Sequence, residues 1–304
     1  MTVLRSAALA SFRTVSRRVR FRGMHRIACQ LYDPYDREHD YRAVVDAYED
    51  GVIQIDTRSF VEWWIYMYGS FEGGAVDLLR RLIHPGSVVI DVGANVGTFA
   101  LPFARAAGSL HAFEPHPRVR ARLIENIALN NLRNTVVSDL ALSDETGSAV
   151  LFGAAHANQM QGSMVQRDPS AESIVCPMDT LDNYVSRAAC DRVDLIKVDV
   201  EGAEHKVLLG AKNVLTEHRP ALYVEVNPAY LGQFGSSPQM LGEYLRGLGY
   251  SLWNNLEVER RAIGKGHGLV RIEHDWPTEQ RDHYWLAVHE DTVPVRSAAL
   301  GERH

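Results

Sequence analysis

Val88-Val89-Ile90-Asp91-Val92-Gly93-Ala94-Asn95-Val96-Gly97-Thr98-Phe99 decides the fold. A β-branched run ends in an acid, a turn with two glycines follows, and helix-type spacing begins at Thr98. In an open parallel sheet a ligand sits where such a strand's carboxyl end meets the following helix. Gly93, with no Cβ, lets the backbone approach a ligand closely. The spacing is G-x-x-x-G, and Asn95 stands where a dinucleotide turn has its middle glycine. Asp91, at the mouth, disfavours a phosphate and favours a ligand carrying positive charge, such as an amine or sulfonium. The alternative is a ligand-free turn that simply needs small residues.

The rest of the chain bounds what this unit belongs to. Its 304 residues make one large domain or two small ones, with 46% apolar residues to fill a core. The net charge of −6 argues against a nucleic-acid partner, because such domains are commonly basic. Cys29, Cys176 and Cys190 lie far apart, with neither metal-site nor disulfide spacing, which fits a reducing cytoplasm. No apolar run approaches the ~20 residues that cross a bilayer. The first 26 residues carry seven arginines and no acid, interleaved with Leu4, Leu9, Phe12, Val15, Val19 and Phe21. Such a basic amphipathic helix suits weak contact with a membrane surface or an acidic partner. Its alternative is a solvated helix packed on the main domain.

Residues 1–84 read as a helical extension holding the aromatic cluster Phe60, Trp63, Trp64, Tyr66, Tyr68 and Phe71. These rings suit stacking on a sugar or a place in the core. From 85 to 290, short apolar runs alternate with helical spacing. Strands are predicted at 87–91, 109–113, 135–138, 193–198, 221–226, 249–253 and 283–289, and helices near 98–107, 117–130, 203–216 and 238–247. The alternation predicts a mostly parallel sheet with helices on both faces. Residues 143–176 alternate weakly and read as an inserted hairpin or loop, and 291–304 as a flexible tail.

Glu114 follows the second strand, 21 residues after Gly93, where an acid accepts hydrogen bonds from ribose hydroxyls. Asp139 ends the third strand, within reach of an adenine amino group or as a plain turn residue. On the fourth, Asp199 and Glu201 are two apart, so an extended chain points both carboxylates one way. Clustered carboxylates raise one another's pKa and yield a general base. His205 lies one turn further on, as a second base or a surface residue. Asp199, Glu225 and Asn227 would form an all-oxygen set suited to magnesium or calcium, though the sequence requires no metal. The loop Gly264-Lys265-Gly266-His267-Gly268 reads as a turn or an anion cradle.

Six ordered segments together resemble the FkbM family of S-adenosylmethionine-dependent methyltransferases: 89–98, Ala112-Phe113-Glu114-Pro115-His116-Pro117, Glu125-Asn126-Ile127-Ala128-Leu129-Asn130, 141–147, 194–204 and 219–225. The resemblance implies a Rossmann-like class I methyltransferase: an α/β fold with a seven-stranded, mostly parallel sheet whose last strand is antiparallel. It implies S-adenosylmethionine as donor and usually O-methylation. Carried over by position, Asp91, Gly93, Asn95, Gly97 and Thr98 border the methionine part, Glu114 and Pro115 the ribose, and Asp139 the adenine. Lys197, Asp199 and Glu201 line the reacting end. Asn158–Met164 resembles a segment that approaches the substrate, though its glycine comes late, at Gly162. The expected acceptor is a hydroxyl on a sugar, glycan or glycosylated natural product. Two rivals remain: a nicotinamide-dependent oxidoreductase, weakened by Asn95 and Asp91, and a non-catalytic adaptor with a vestigial ligand site.

Overall fold

The computed structural model describes residues 3–19, 23–33, 41–48, 51–152, 173–255, 269–273, 276–279 and 281–292. The extension comprises helices α1 (Val3–Ser16) and α2 (Met24–Leu31), strands β1 (Arg42–Ala47) and β2 (Gly51–Asp56), and helices α3 (Phe60–Tyr68) and α4 (Gly73–Arg80). Then come β3 (Val88–Val92), α5 (Ala100–Ala106), β4 (Ser109–Phe113), α6 (Pro117–Leu129), β5 (Thr135–Ser138), β6 (Ala141–Leu142), β7 (Gly147–Phe152), β8 (Ser173–Asp179) and α7 (Leu181–Arg187). The chain continues through β9 (Leu195–Val198), α8 (Glu204–Leu209), α9 (Lys212–Glu217), β10 (Ala221–Val226), α10 (Pro228–Gln233), α11 (Pro238–Gly247), β11 (Tyr250–Asn255), β12 (Leu269–Arg271) and β13 (His283–His289).

The main sheet runs β12-β11-β13-β10-β9-β3-β4-β5. Strands β10, β9, β3, β4 and β5 are mutually parallel. Strand β13 is antiparallel to both β10 and β11. All seven expected strands are present, and short β12 adds an eighth at the edge. Every residue of β9 and β10 is buried, because helices cover both faces of a parallel sheet. One face packs Phe99, Phe103 and Leu123 together with Ile53, Trp63 and Met67 of the extension. The other packs Val207, Leu215, Leu241 and Leu245.

Several expectations need correction. The extension is not wholly helical, since β1 and β2 form an antiparallel hairpin. The predicted helix over 203–216 breaks at Gly210, where a Cβ would lie 2.0 Å from the Ser143 carbonyl oxygen. The weakly alternating 143–176 stretch holds β7 and the start of β8, which pair antiparallel as the hairpin reading expects and with β6 form a separate three-stranded sheet. Asn158–Met164, the 264–268 loop and the tail beyond 292 lie outside the described residues.

The described arginines of the basic N-terminal stretch turn partly inward. Arg13 donates from Nε to the Tyr66 carbonyl at 2.8 Å and lies 3.7 Å over the Tyr66 ring. The α3 aromatics pack on one another, with Trp63 fully buried. Among the described residues, no helix is long and apolar enough to cross a membrane.

Candidate active site

The parallel register sets Asp91 directly beside Lys197, so both side chains leave the sheet on one face. Lys197 is 2% exposed and Asp91 fully buried. The ammonium lies 3.3 Å from Asp91 Oδ1 and 3.6 Å from Asp199 Oδ2. It also donates to the Gly93 carbonyl at 2.8 Å. Burial alone would lower the Lys197 pKa, but Asp91 and Asp199 outweigh it and hold the group above the usual lysine range. Burial raises Asp91 although Lys197 opposes the shift.

Above this pair the turn is drawn tight. Gly93 and Ala94 both donate to the Phe113 carbonyl at 3.0 Å. Gly93 has φ +76°, and a Cβ there would lie 1.9 Å from the Asp199 carbonyl oxygen. The ends of β3 and β9 therefore touch backbone to backbone, and only glycine fits. Asn95 takes a left-handed φ of 50°, and its amide donates to Glu114 Oε2 at 3.0 Å. Glu114 Oε1 accepts from the His116 amide at 2.9 Å. Burial pushes Glu114 up to about 7 against those two bonds.

These residues open on a cleft of ≈ 920 Å³, mouth included, lined by Gly93, Asn95, Thr98, Glu114, Pro115, Lys197, Asp199 and Glu201. Val92, Phe113, Leu140, Leu142 and Leu151 give it an apolar side, and Val61 and Phe71 of the extension close it. Asp199 and Glu201 both face it, though not as neighbours on an extended strand. Strand β9 ends at Val198, and Glu201 turns at φ +60°. Glu204 shapes this loop by accepting the Val200 amide at 2.9 Å and the Gly202 amide at 3.0 Å.

The remaining expected residues fall elsewhere. Asp91 lies beneath the cleft rather than at its mouth, and Gly97 packs on Leu101 and Leu123. Asp139 is exposed just past β5, beside the lining residue Leu140. His205 is buried away from the cleft, with Nδ1 2.6 Å from Ser236 Oγ and its ring against Tyr244. Burial lowers its pKa. The oxygen set for magnesium does not assemble. Asn227 caps α10, accepting from the Ala229 amide at 3.0 Å, and donates to Asp282 Oδ1 at 2.8 Å. Burial, and then Asp199, raise Glu225 well above the carboxylate range. Among the described residues no group of three acids, histidines or cysteines is placed to hold a metal.

A doubly wound sheet with a carboxyl-lined mouth at its carboxyl edge defines a protein of the nucleoside-ligand α/β class. The chain belongs to the methyltransferase FkbM domain family, whose model matches residues 91–252. It is 32% identical over 161 residues to the 2-O-methyltransferase NoeI of Sinorhizobium fredii, covering 47% of this chain and 64% of that one. It is 28% identical over 162 residues to the 31-O-demethyl-FK506 methyltransferase FkbM of Streptomyces tacrolimicus, covering 43% and 62%. It is 31% identical over 152 residues to the hexuronic acid methyltransferase AglP of Haloferax volcanii, covering 47% and 58%. The chain thus spans about three fifths of the length of these relatives.

Proposed function

We propose that the chain is an S-adenosylmethionine-dependent methyltransferase that methylates a hydroxyl on a sugar, glycan or glycosylated natural product. The charge of the mouth carries this reading. Glu114, Asp199 and Glu201 line it, and the one cation among its described lining residues, Lys197, is held by Asp91, Asp199 and the Gly93 carbonyl. Among the described residues a pyrophosphate would meet three carboxyls and no free cation, whereas a ligand with an ammonium and a sulfonium meets complementary charge. The family and the O-methylating relatives support the same reaction class.

When bound, S-adenosylmethionine supplies an electrophilic methyl group on a positively charged sulfur. Glu114 receives the ribose hydroxyls, while Leu140, Leu142 and Phe113 shield the adenine from water. Asp139 reaches the base edge from the end of β5. Asn95 and Thr98 border the methionine part. Lys197 fixes the carboxylate of Asp199, which orients the acceptor hydroxyl and takes its proton as the new carbon–oxygen bond forms. Glu201 faces the same space. No metal enters this scheme.

Titration calorimetry with S-adenosylhomocysteine and with NAD separates this reading from the oxidoreductase. Binding of the former alone is expected, and tight binding of NAD alone overturns it. Labelled S-adenosylmethionine with fractionated glycans and metabolites then identifies the acceptor. Asp199→Asn is expected to slow transfer about 10²–10⁴-fold while retaining S-adenosylhomocysteine binding. Unchanged transfer rules out Asp199 as the base.

A further inference from the structure

Arg17 carries a charge that the fold half-buries and leaves unmet. It follows α1, and its stem lies across the turn after α3. A Cβ on Gly69 would come within 3.3 Å of its Cγ and 3.5 Å of its Nε. Arg13, one turn earlier, is satisfied by the Tyr66 carbonyl and ring. Arg17 is not: its Nε and Nη2 are closed to solvent and have no hydrogen-bond partner among the described residues. Burial lowers its pKa, and Arg13 adds to that shift against Asp46. Buried polar atoms are rarely left unpaired, and a guanidinium taken out of water without a partner weakens the fold that holds it.

A cavity lies beside this group, apart from the cleft. It measures ≈ 820 Å³, mouth included, and Arg17, Arg80 and Ser70 line it. Its acids, Asp46 and Asp77, are exposed to water, and the closed-off edge of Arg17 meets neither. The third guanidinium nitrogen, Nη1, is not shut off in this way, so a ligand in the cavity meets Arg17 from that side. The planar guanidinium suits the oxygens of a carboxylate, sulfate or phosphate, charge to charge.

The 69–73 segment borders both spaces. Gly69, Ser70 and Gly73 line the cavity, and Phe71 lines the cleft. Tyr48, also in the cavity wall, accepts the Phe71 amide at 3.4 Å and donates to the Phe71 carbonyl at 3.3 Å. We propose that this cavity is an oxyanion site in which Arg17 takes a carboxylate, sulfate or phosphate group and steadies the segment that carries Phe71 to the cleft. The group belongs either to the far end of the acceptor or to a free anion, and Arg17 meets the same chemistry in both. The site itself stands apart from the methyl-transfer reading; its effect on the acceptor rests on that reading.

The first test melts the whole protein in inorganic phosphate, sulfate or acetate against chloride at equal ionic strength, at about millimolar levels where general salt effects are small. At least one oxyanion is expected to raise the wild-type melting temperature, saturably, and Arg17→Gln to lose that rise. Calorimetry with that anion should show binding at least about tenfold weaker in Arg17→Gln. In chloride Arg17→Gln should melt no lower than wild type, because the charge it removes has no partner to lose. No oxyanion-specific rise, an equal rise in the variant, or a variant that melts well below wild type in chloride overturns the site. Labelled S-adenosylmethionine, with acceptors separated by anion exchange, then tells the two sources apart. An acceptor-borne group puts label in the acidic pool, with a KM about tenfold higher in Arg17→Gln. A free anion puts label in the neutral pool, with a KM that phosphate changes in wild type but not in Arg17→Gln. A KM that neither Arg17→Gln nor phosphate moves overturns the effect on the cleft. Wild-type protein that fails to bind S-adenosylhomocysteine overturns the methyl-transfer reading and leaves the melting result to decide the site.

Discussion

At the residue scale, the site hangs on a buried ion pair. Asp91 is fully buried and Lys197 nearly so, and removing one partner of such a pair leaves a charge without compensation. Lys197→Met is expected to lower stability by about 3–5 kcal/mol in urea unfolding. Adding Asp91→Asn should recover part of that loss, since the orphaned carboxylate is then gone. A Lys197→Met protein as stable as wild type would show that the pair is not a unit. Gly93→Ala meets two obstacles, the φ of +76° and the Asp199 carbonyl 1.9 Å from the new Cβ. It should cost more than about 1 kcal/mol and, because the Asp199 backbone must shift, weaken S-adenosylhomocysteine binding in calorimetry. Asp91 marks the limit of reading this motif from sequence. Its residue type was legible, but its partner, 106 residues later at Lys197, was fixed only by the β3–β9 register.

At the element scale, α6 joins the extension to the ligand turn. Asn126 and Asn130 lie one turn apart and act as a surrogate strand for β2. Asn126 Oδ1 accepts the Gln54 amide at 2.7 Å, and Asn130 pairs with both the amide and carbonyl of Val52, at 3.0 and 2.7 Å. Asn126 alone also donates to the Val96 carbonyl of the turn, at 2.8 Å. Arg122 and Glu62 add a part-buried ion pair between α6 and α3, 2.5 Å apart. Both Asn126→Ala and Asn130→Ala should lower the melting temperature, each leaving buried amide partners unmet at about 1–3 kcal/mol. Only Asn126→Ala should also weaken S-adenosylhomocysteine binding, and equal binding losses in the two would refute a specific link to the turn. The central strands were legible because burial on both faces writes continuous apolar runs such as Ala221–Val224. The β1–β2 hairpin was not, because its short, half-exposed strands find partners in side-chain amides of a distant helix. The cleft residues beside Gly93 and Glu114 were readable from spacing, whereas Val61 and Phe71 enter through tertiary packing alone.

At the scale of the whole molecule, buried carboxyls in and around the mouth bind protons more tightly in the folded protein than in the unfolded chain, and this sets how stability responds to pH. Glu114 and Glu204 are pushed up to about 7 and Glu72 to about 8, in each case chiefly by burial. The folded protein therefore binds protons that the unfolded chain, with carboxyls near 4.5, has already released. Where the native state holds more protons, stability falls as pH rises. Two other sets of groups act in the opposite direction at lower pH. Asp56 is held down to about 2 because its hydrogen bonds and ion pairs with Arg58 and Arg42 outweigh burial, so its contribution is lost only in strong acid. His111 and His205, lowered by burial, favour the fold more as pH rises toward their ordinary 6.5. Above pH 7 both effects are complete, and the raised carboxyls remain, joined near pH 9 by the thiols of Cys29, Cys176 and Cys190, which burial also raises. The ligand-free protein should thus lose stability from about pH 7 to pH 9, read as a falling melting temperature. Glu72→Gln, which has no proton to release, should flatten that slope. A melting temperature that rises over this interval, or a slope unchanged in Glu72→Gln, would show that Glu72 is ionised in the folded protein at neutral pH.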